Sequence, residues 1–176
     1  MNSSIASGIV LLVFASAILI YGAVLYRGLA RLRDQNNRLR ASLDVLLKQR
    51  YEEIIELLAS TRDTLPVEQT LLMDANDAVA SATAIQQKAE ADERLTYALL
   101  KFFESARKNP RLGSTESYRT LRKQLAGLQT QIADHRALFN EDVRAYNSRI
   151  GQFPDAVVAG ILGMKRREKF EVRRTK

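Results

Sequence analysis

The charged residues of this 176-residue chain all lie after position 26. The segment from Ile5 to Tyr26 is 22 uncharged residues, rich in Leu, Ile and Val on every face, and it would form a helix about 33 Å long. The hydrocarbon core of a bilayer is about 30 Å thick, so the segment fits one transmembrane helix. We therefore expect residues 1–26 to anchor the chain in a membrane.

Two other interpretations of this segment stay open. The sequence Ala15-Ser16-Ala17 is similar to a signal-peptide cleavage site, although the amino end has no Lys or Arg and the apolar run continues beyond Ala17. The segment could instead be a buried core helix, although a helix this long and apolar on every face is typical of a lipid environment.

Basic residues beside the anchor predict its orientation. Five arginines follow the segment closely, and the amino side offers only the terminal amine. The positive-inside rule then places the amino terminus outside and everything from residue 27 in the cytoplasm. The five are Arg27, Arg31, Arg33, Arg38 and Arg40.

Residues 27–153 predict an all-α fold, an antiparallel up-and-down bundle of long helices. Apolar residues recur at helical spacing from Leu29 to Leu58, from Leu72 to Ala106 and from Tyr118 to Ile150. Turns are expected at Thr64 to Pro66 and at Lys108 to Gly113, and the last helix ends at Phe153-Pro154. Short connections make consecutive helices antiparallel.

Two features of the bundle stay open at this stage. The second helical stretch has a polar middle, so it forms either one long helix or two helices that break near Glu90, giving three or four helices in all. Asn36 occupies an apolar seam, where a polar side chain could fix the register of packing, or it faces water.

The carboxyl end, residues 154–176, combines a short apolar segment with a basic tail. Residues 165–176 hold seven basic and two acidic residues, so most of the net charge of +7 lies there. Such tails bind phosphates weakly, and no nucleic-acid-reading motif accompanies this one, so we expect no specific nucleic-acid partner. The preceding segment, Ala156 to Met164, is too short to span a bilayer.

The sequence offers few residues that could carry out catalysis. His135 is the only histidine, the chain has no Cys, and phosphate-binding or dinucleotide-binding glycine motifs are missing. A zinc site would need several ligands that the surroundings of His135 do not offer. We expect no enzymatic activity, no metal, no cofactor and no small-molecule substrate.

The last third of the chain resembles the LemA family. That family carries a Tyr-Asn pair on a final long helix, then a Phe-Pro, an apolar Ala-Gly segment and a terminal Phe. The matching positions here are Tyr146, Asn147, Phe153, Pro154, Gly160 after Ala159, and Phe170. The stretch from Asp44 to Tyr51 extends the resemblance into the amino half.

The resemblance implies a single-pass bacterial inner-membrane protein with a helical bundle and no established enzymatic activity. Our leading hypothesis is a scaffold or adaptor that forms homo-oligomers and binds a membrane protein. The alternative is a lipid-binding or membrane-remodelling module that uses the carboxyl-terminal apolar segment and the cluster Lys165, Arg166 and Arg167. The apolar segment would pack on the bundle in the first case and dock on the membrane in the second.

Overall fold

The structure is a computed structural model that describes residues 2–61 and 65–172, with side chains described from residue 7 onward. Every regular element in these ranges is a helix, so the predicted all-α class is confirmed. The helices are α1 (Asn2–Ser60), α2 (Pro66–Ser81), α3 (Ile85–Arg107), α4 (Pro110–Gly113), α5 (Glu116–Arg149) and α6 (Asp155–Ile161).

Contacts divide the chain into two compact units. The first comprises residues 1–37 and 142–167, and the second comprises residues 38–141 and 168–176. The sequence-based division into residues 1–26, 27–153 and 154–176 rests on composition and stays a prediction.

The second unit is a four-helix bundle. Its apolar core combines the α1 residues Ile54 and Leu57 with residues of α2, α3 and α5. Ser42 on α1 pairs with His135 on α5, and Glu68 on α2 accepts a hydrogen bond from Ser105 on α3. Glu68 is early on α2 and Ser105 is late on α3, so these two helices are antiparallel. Gln69, early on α2, donates to the Thr61 carbonyl just after α1, and Asn76, farther along α2, donates to the Tyr51 carbonyl, so α1 and α2 are antiparallel too, as the short connections predict.

The second helical stretch does break, but at Ala82 to Ala84 and not near Glu90. Ala82 and Ala84 are both extended, and the Gln87 side chain accepts a hydrogen bond from the Ala84 N–H. The polar region around Glu90 stays helical: Glu90 is exposed, Ala89 and Ala91 pack inward, and the buried carboxylate of Asp92 is paired with Arg50. Neither Gly nor Pro marks the true break.

The remaining turns lie close to their predicted places. Pro66 begins α2, as expected, and α1 ends at Ser60, while Thr64 lies outside the described residues. Pro110 begins the four-residue helix α4 between α3 and α5. Asn36 is buried, in agreement with the seam position, and its Oδ1 accepts a hydrogen bond from Arg167 Nη1 within the first unit.

Within residues 2–61 and 65–172, one helix, α1, is long and apolar enough to cross a membrane. Only 6 % of its most apolar 18-residue window is buried inside the protein. This low burial argues against the core-helix interpretation, because a core helix would be covered by its own chain.

Candidate membrane-interface site

The short helix α6 lies beside the end of the apolar segment of α1, within the first unit. The two helices line an open groove of about 670 Å³. Residues 18–26 of α1 supply one side, and the other side comes from Phe153, Pro154, Val157, Val158, Ile161 and Leu162. The described residues that line this groove are all uncharged.

The apolar side chains around the groove are exposed to an unusual degree. Phe153 is 86 % exposed and Ile161 is 80 % exposed, and Leu19 across the groove is 74 % exposed. Gly160, on α6, is exposed as well. A contiguous apolar surface of this kind marks a place where a membrane or a partner binds.

An ion pair fixes the beginning of α6. Arg149, the last residue of α5, donates from Nε to Asp155 Oδ2 at 2.9 Å, and Asp155 lies in the first turn of α6. The Arg149 guanidinium lies against Gly28 of α1, where an added Cβ would come within 2.7 Å of Nη2. Gly28 therefore makes room for the side chain that links the three helices.

The three residues of the predicted basic cluster differ in their exposure to solvent. Lys165 and Arg166 are exposed, whereas Arg167 is half-buried. The Arg167 guanidinium lies 5.4 Å from the centre of the Tyr146 ring and donates to Asn36. Lys165 and Arg166 are thus available to an external partner, and Arg167 is engaged inside the first unit.

The Tyr-Asn pair of α5 holds the chain that follows α6. The Asn147 amide makes two hydrogen bonds of 2.8 Å to the Arg167 backbone, accepting from its N–H and donating to its carbonyl. The Tyr146 hydroxyl donates to the Lys165 carbonyl at 3.3 Å. The pair therefore has structural contacts on the carboxyl-terminal segment of its own chain.

A second asparagine on α5 holds Phe170 in the same manner, within the second unit. Asn140 Oδ1 accepts from the Phe170 N–H at 2.7 Å, and its Nδ2 donates to the Phe170 carbonyl at 3.2 Å. Arg136 donates to that carbonyl too, and its guanidinium lies 5.5 Å from the centre of the Phe170 ring. The Phe170 side chain is completely buried.

Sequence reasoning missed Asn140, Arg136 and Arg149. Asn140 and Asn147 are seven residues apart on a helix, so they share one face of α5. This repeat of an asparagine beside an apolar seam could have predicted that Asn140 and Asn147 bind the same segment of the chain. No local pattern indicates the pairing of Arg149 with Asp155, because it depends on how the chain turns after α5.

Two titratable groups of the bundle, His135 and Asp92, contact side chains of another helix. His135 is half-buried, and its Nδ1 lies 3.3 Å from Ser42 Oγ. Asp92 accepts from Arg50 Nη1 at 2.7 Å, and burial raises the pKa of Asp92 although the Arg50 charge opposes the shift. Among the described residues, no three His, Cys, Asp or Glu side chains form a group that could hold a metal ion.

A family model, the LemA family, matches residues 40–176, which is more than half of the chain. The curated proteins contain no match to it.

Proposed function

The chain belongs to the LemA family, and we propose that it is a non-enzymatic membrane scaffold whose helix α6 makes a second contact with the bilayer that α1 crosses. The observation that carries the proposal is the apolar groove between residues 18–26 of α1 and α6. In this proposal, partner proteins and further copies of the chain bind the helical domain.

The first contact of the proposal is the anchor itself. The apolar part of α1 has the length of a membrane span, and its side chains are exposed in the isolated chain. The arginines after Tyr26 favour a cytoplasmic location for the rest of the chain. We place the protein in the bacterial inner membrane with its amino terminus outside.

The depth of α6 follows from its neighbours on α1. If Tyr26 marks the membrane surface, residues 18–26 extend about 12 Å into the bilayer. Interfacial helices bury their apolar face about 5–10 Å deep, at the boundary of headgroups and acyl chains. Because α6 lies beside residues 18–26, its exposed apolar side chains occupy that depth.

The ends of α6 suit a membrane surface. The Leu162 N–H donates to the Val158 carbonyl, and the Met164 N–H donates to the Ala159 carbonyl, so the helix end has few unpaired backbone groups. Lys165 and Arg166 follow at once and are exposed. Each basic residue near an anionic surface contributes on the order of 1 kcal/mol.

Tryptophan fluorescence can test the depth of α6 directly, because the chain contains no Trp. Phe153→Trp places a single indole at the exposed edge of the groove. After reconstitution of the full chain into vesicles with brominated lipids, we expect strong quenching and blue-shifted emission. Ile161→Trp, at the other end of α6, should behave in the same way.

A matched control is Tyr97→Trp, an exposed aromatic position on α3 outside the groove. Its emission should stay typical of water and should be unaffected by brominated lipids. If Phe153→Trp and Ile161→Trp are no more quenched than Tyr97→Trp, α6 does not enter the bilayer and the proposed second contact is wrong.

A further inference from the structure

The groove between α1 and α6, within the first unit, has a size and a lining that suit a hydrocarbon chain. Its volume of about 670 Å³ lies within the range of small-molecule pockets, which are mostly apolar. Among its lining residues, Gly22 and Leu25 are half-buried, whereas Leu19 and Ile161 are strongly exposed. The groove is therefore a concave surface whose apolar side chains the protein itself leaves uncovered.

Gly22 adds depth to this groove because it has no side chain. Apart from neighbours in its own helix, a Cβ added at this position would meet no described atom within 4 Å. A side chain there would extend into the groove without displacing another part of the protein. The space that the glycine provides is therefore open to a ligand.

The beginning of α6 marks the end of the groove that lies toward the membrane surface in the proposed arrangement. Asp155, in the first turn of α6, is paired with Arg149, whose guanidinium lies against Gly28. Gly28 follows the apolar segment of α1. The residues just before α6, Phe153 and Pro154, therefore line the groove at its surface end.

Arg166 lies beside this surface end. Its Nη2 would be 3.5 Å from a Cβ added at Gly151, in the turn that leads to Phe153. Arg166 is exposed, and within the described part of the chain its guanidinium has no hydrogen-bond or ion-pair partner. A guanidinium presents N–H donors in a geometry that matches the oxygens of a phosphate. Arg166 is thus available to a phosphate at the end of the apolar groove.

We propose that the groove binds one anionic phospholipid, with an acyl chain between α1 and α6 and the phosphate on Arg166. The occupant is a lipid because the groove lies at the depth of acyl chains and has a basic surface end. A net negative headgroup fits best, since Lys165 adds a second exposed positive charge and Asp155 is already paired with Arg149. This inference rests on the proposed membrane contact of α6 and specifies the ligand bound there.

A substitution that fills the groove tests the position of the acyl chain. Gly22→Leu places a side chain in the groove, and Gly8→Leu makes the same change at an exposed position of α1 outside it. Both changes replace Gly by a better helix former, so both variants should fold. In native mass spectrometry of the detergent-solubilised full chain, the wild-type protein and Gly8→Leu should bind one phosphatidylglycerol. Gly22→Leu should bind it on the order of tenfold more weakly.

Arg166→Ala tests the headgroup contact in the same measurement. The wild-type protein should prefer phosphatidylglycerol to the zwitterionic phosphatidylethanolamine, and Arg166→Ala should reduce this preference on the order of tenfold. Arg107→Ala removes the same charge from an exposed position of α3 and should keep the preference. Equal binding of both lipids by the wild-type protein would overturn the proposal, as would unchanged affinity in Gly22→Leu.

Selective quenching covers the case in which a groove variant fails to fold. Phe153→Trp is reconstituted into vesicles in which a small fraction of one lipid is brominated, either phosphatidylglycerol or phosphatidylcholine. The brominated phosphatidylglycerol should quench more strongly, because the bound lipid is enriched beside the indole. Equal quenching by the two lipids would overturn lipid binding in the groove and leave α6 in the bilayer. No quenching in fully brominated vesicles would refute the membrane contact itself, and this inference with it.

Discussion

The buried pair of Arg50 and Asp92 gives the sharpest prediction about stability. The Arg50 side chain is 0 % exposed and that of Asp92 is 5 % exposed, and their atoms Nη1 and Oδ1 are 2.7 Å apart. Arg50 also donates from Nη2 to Thr96 Oγ1 at 3.2 Å. The perturbation is a double-mutant cycle of Arg50→Met, Asp92→Leu and the two together.

Each single substitution leaves one charge buried without its partner. Loss of one member of a buried ion pair costs about 3–5 kcal/mol, whereas replacement of both by apolar side chains is often neutral or stabilising. We therefore expect the double variant to be more stable than either single variant. For a chain of this size, about 1 kcal/mol corresponds to about 2–4 °C in Tm, so each single variant should lose roughly 6–20 °C.

The assay is thermal unfolding of the detergent-solubilised full chain, followed by circular dichroism. The reasoning is refuted if the double variant loses as much stability as the sum of the two single variants, because the two charges would then be independent. A loss below about 1 kcal/mol in both single variants would also contradict it, because surface pairs typically have that magnitude.

The pH dependence of Arg50→Met has a defined sign. Burial raises the pKa of Asp92 above its ordinary value of 3.8, and Arg50 is the main charge that opposes this. With Arg50 removed, the neutral carboxyl becomes more favourable in the folded state. The contribution of Asp92 to the stability of the variant should therefore be greatest below the ordinary pKa and should be lost as pH rises through the folded pKa, relative to the wild-type protein.

Two further measurements concern groups at the surface. Ser105 donates to Glu68 at 2.7 Å, and this hydrogen bond lowers the pKa of Glu68, so Ser105→Ala should raise that pKa toward its ordinary value in an NMR titration; an unchanged titration would disprove the role of Ser105. Lys165→Ala with Arg166→Ala should weaken the binding of α6 to anionic vesicles by on the order of 1 kcal/mol for each charge. The quenching of Phe153→Trp should then decrease in anionic vesicles and stay unchanged in neutral ones. Equal quenching of both forms in anionic vesicles would remove headgroup attraction from the proposal.

The helices were predictable because their apolar seams have the helical period. Tyr118, Leu121 and Leu125 were expected in the seam of α5, and they are buried in the core. The proline-marked boundaries followed from the missing N–H and fixed φ of that residue. The break at Ala82 to Ala84 did not follow, because Ala is the best helix former and nothing in that segment prevents a helix.

The contacts of Arg167 and Phe170 with α5, and those of the buried pair Arg50 and Asp92, could not be predicted from the sequence for a different reason. Arg50 lies next to the expected seam residue Tyr51, and its charge predicts exposure until a partner is known. That partner, Asp92, is 42 residues away on another helix. Periodicity identifies the inner face of each helix, but the pairing of polar groups depends on how the faces meet.

The notch at Gly28 connects the apolar helix α1 to α5 and α6 in one rotational phase. Arg149 occupies this notch and is held by Asp155, so a turn of α1 about its axis would bring another side chain against the Arg149 guanidinium, which would then have to shift. One residue of helix corresponds to about 100° of rotation, so a single insertion after Tyr26 would point a different side of the span toward α6. In the proposed membrane arrangement, the face of the apolar segment that meets α6, and with it the face left for lipids or other helices, thus depends on a glycine and an arginine outside that segment.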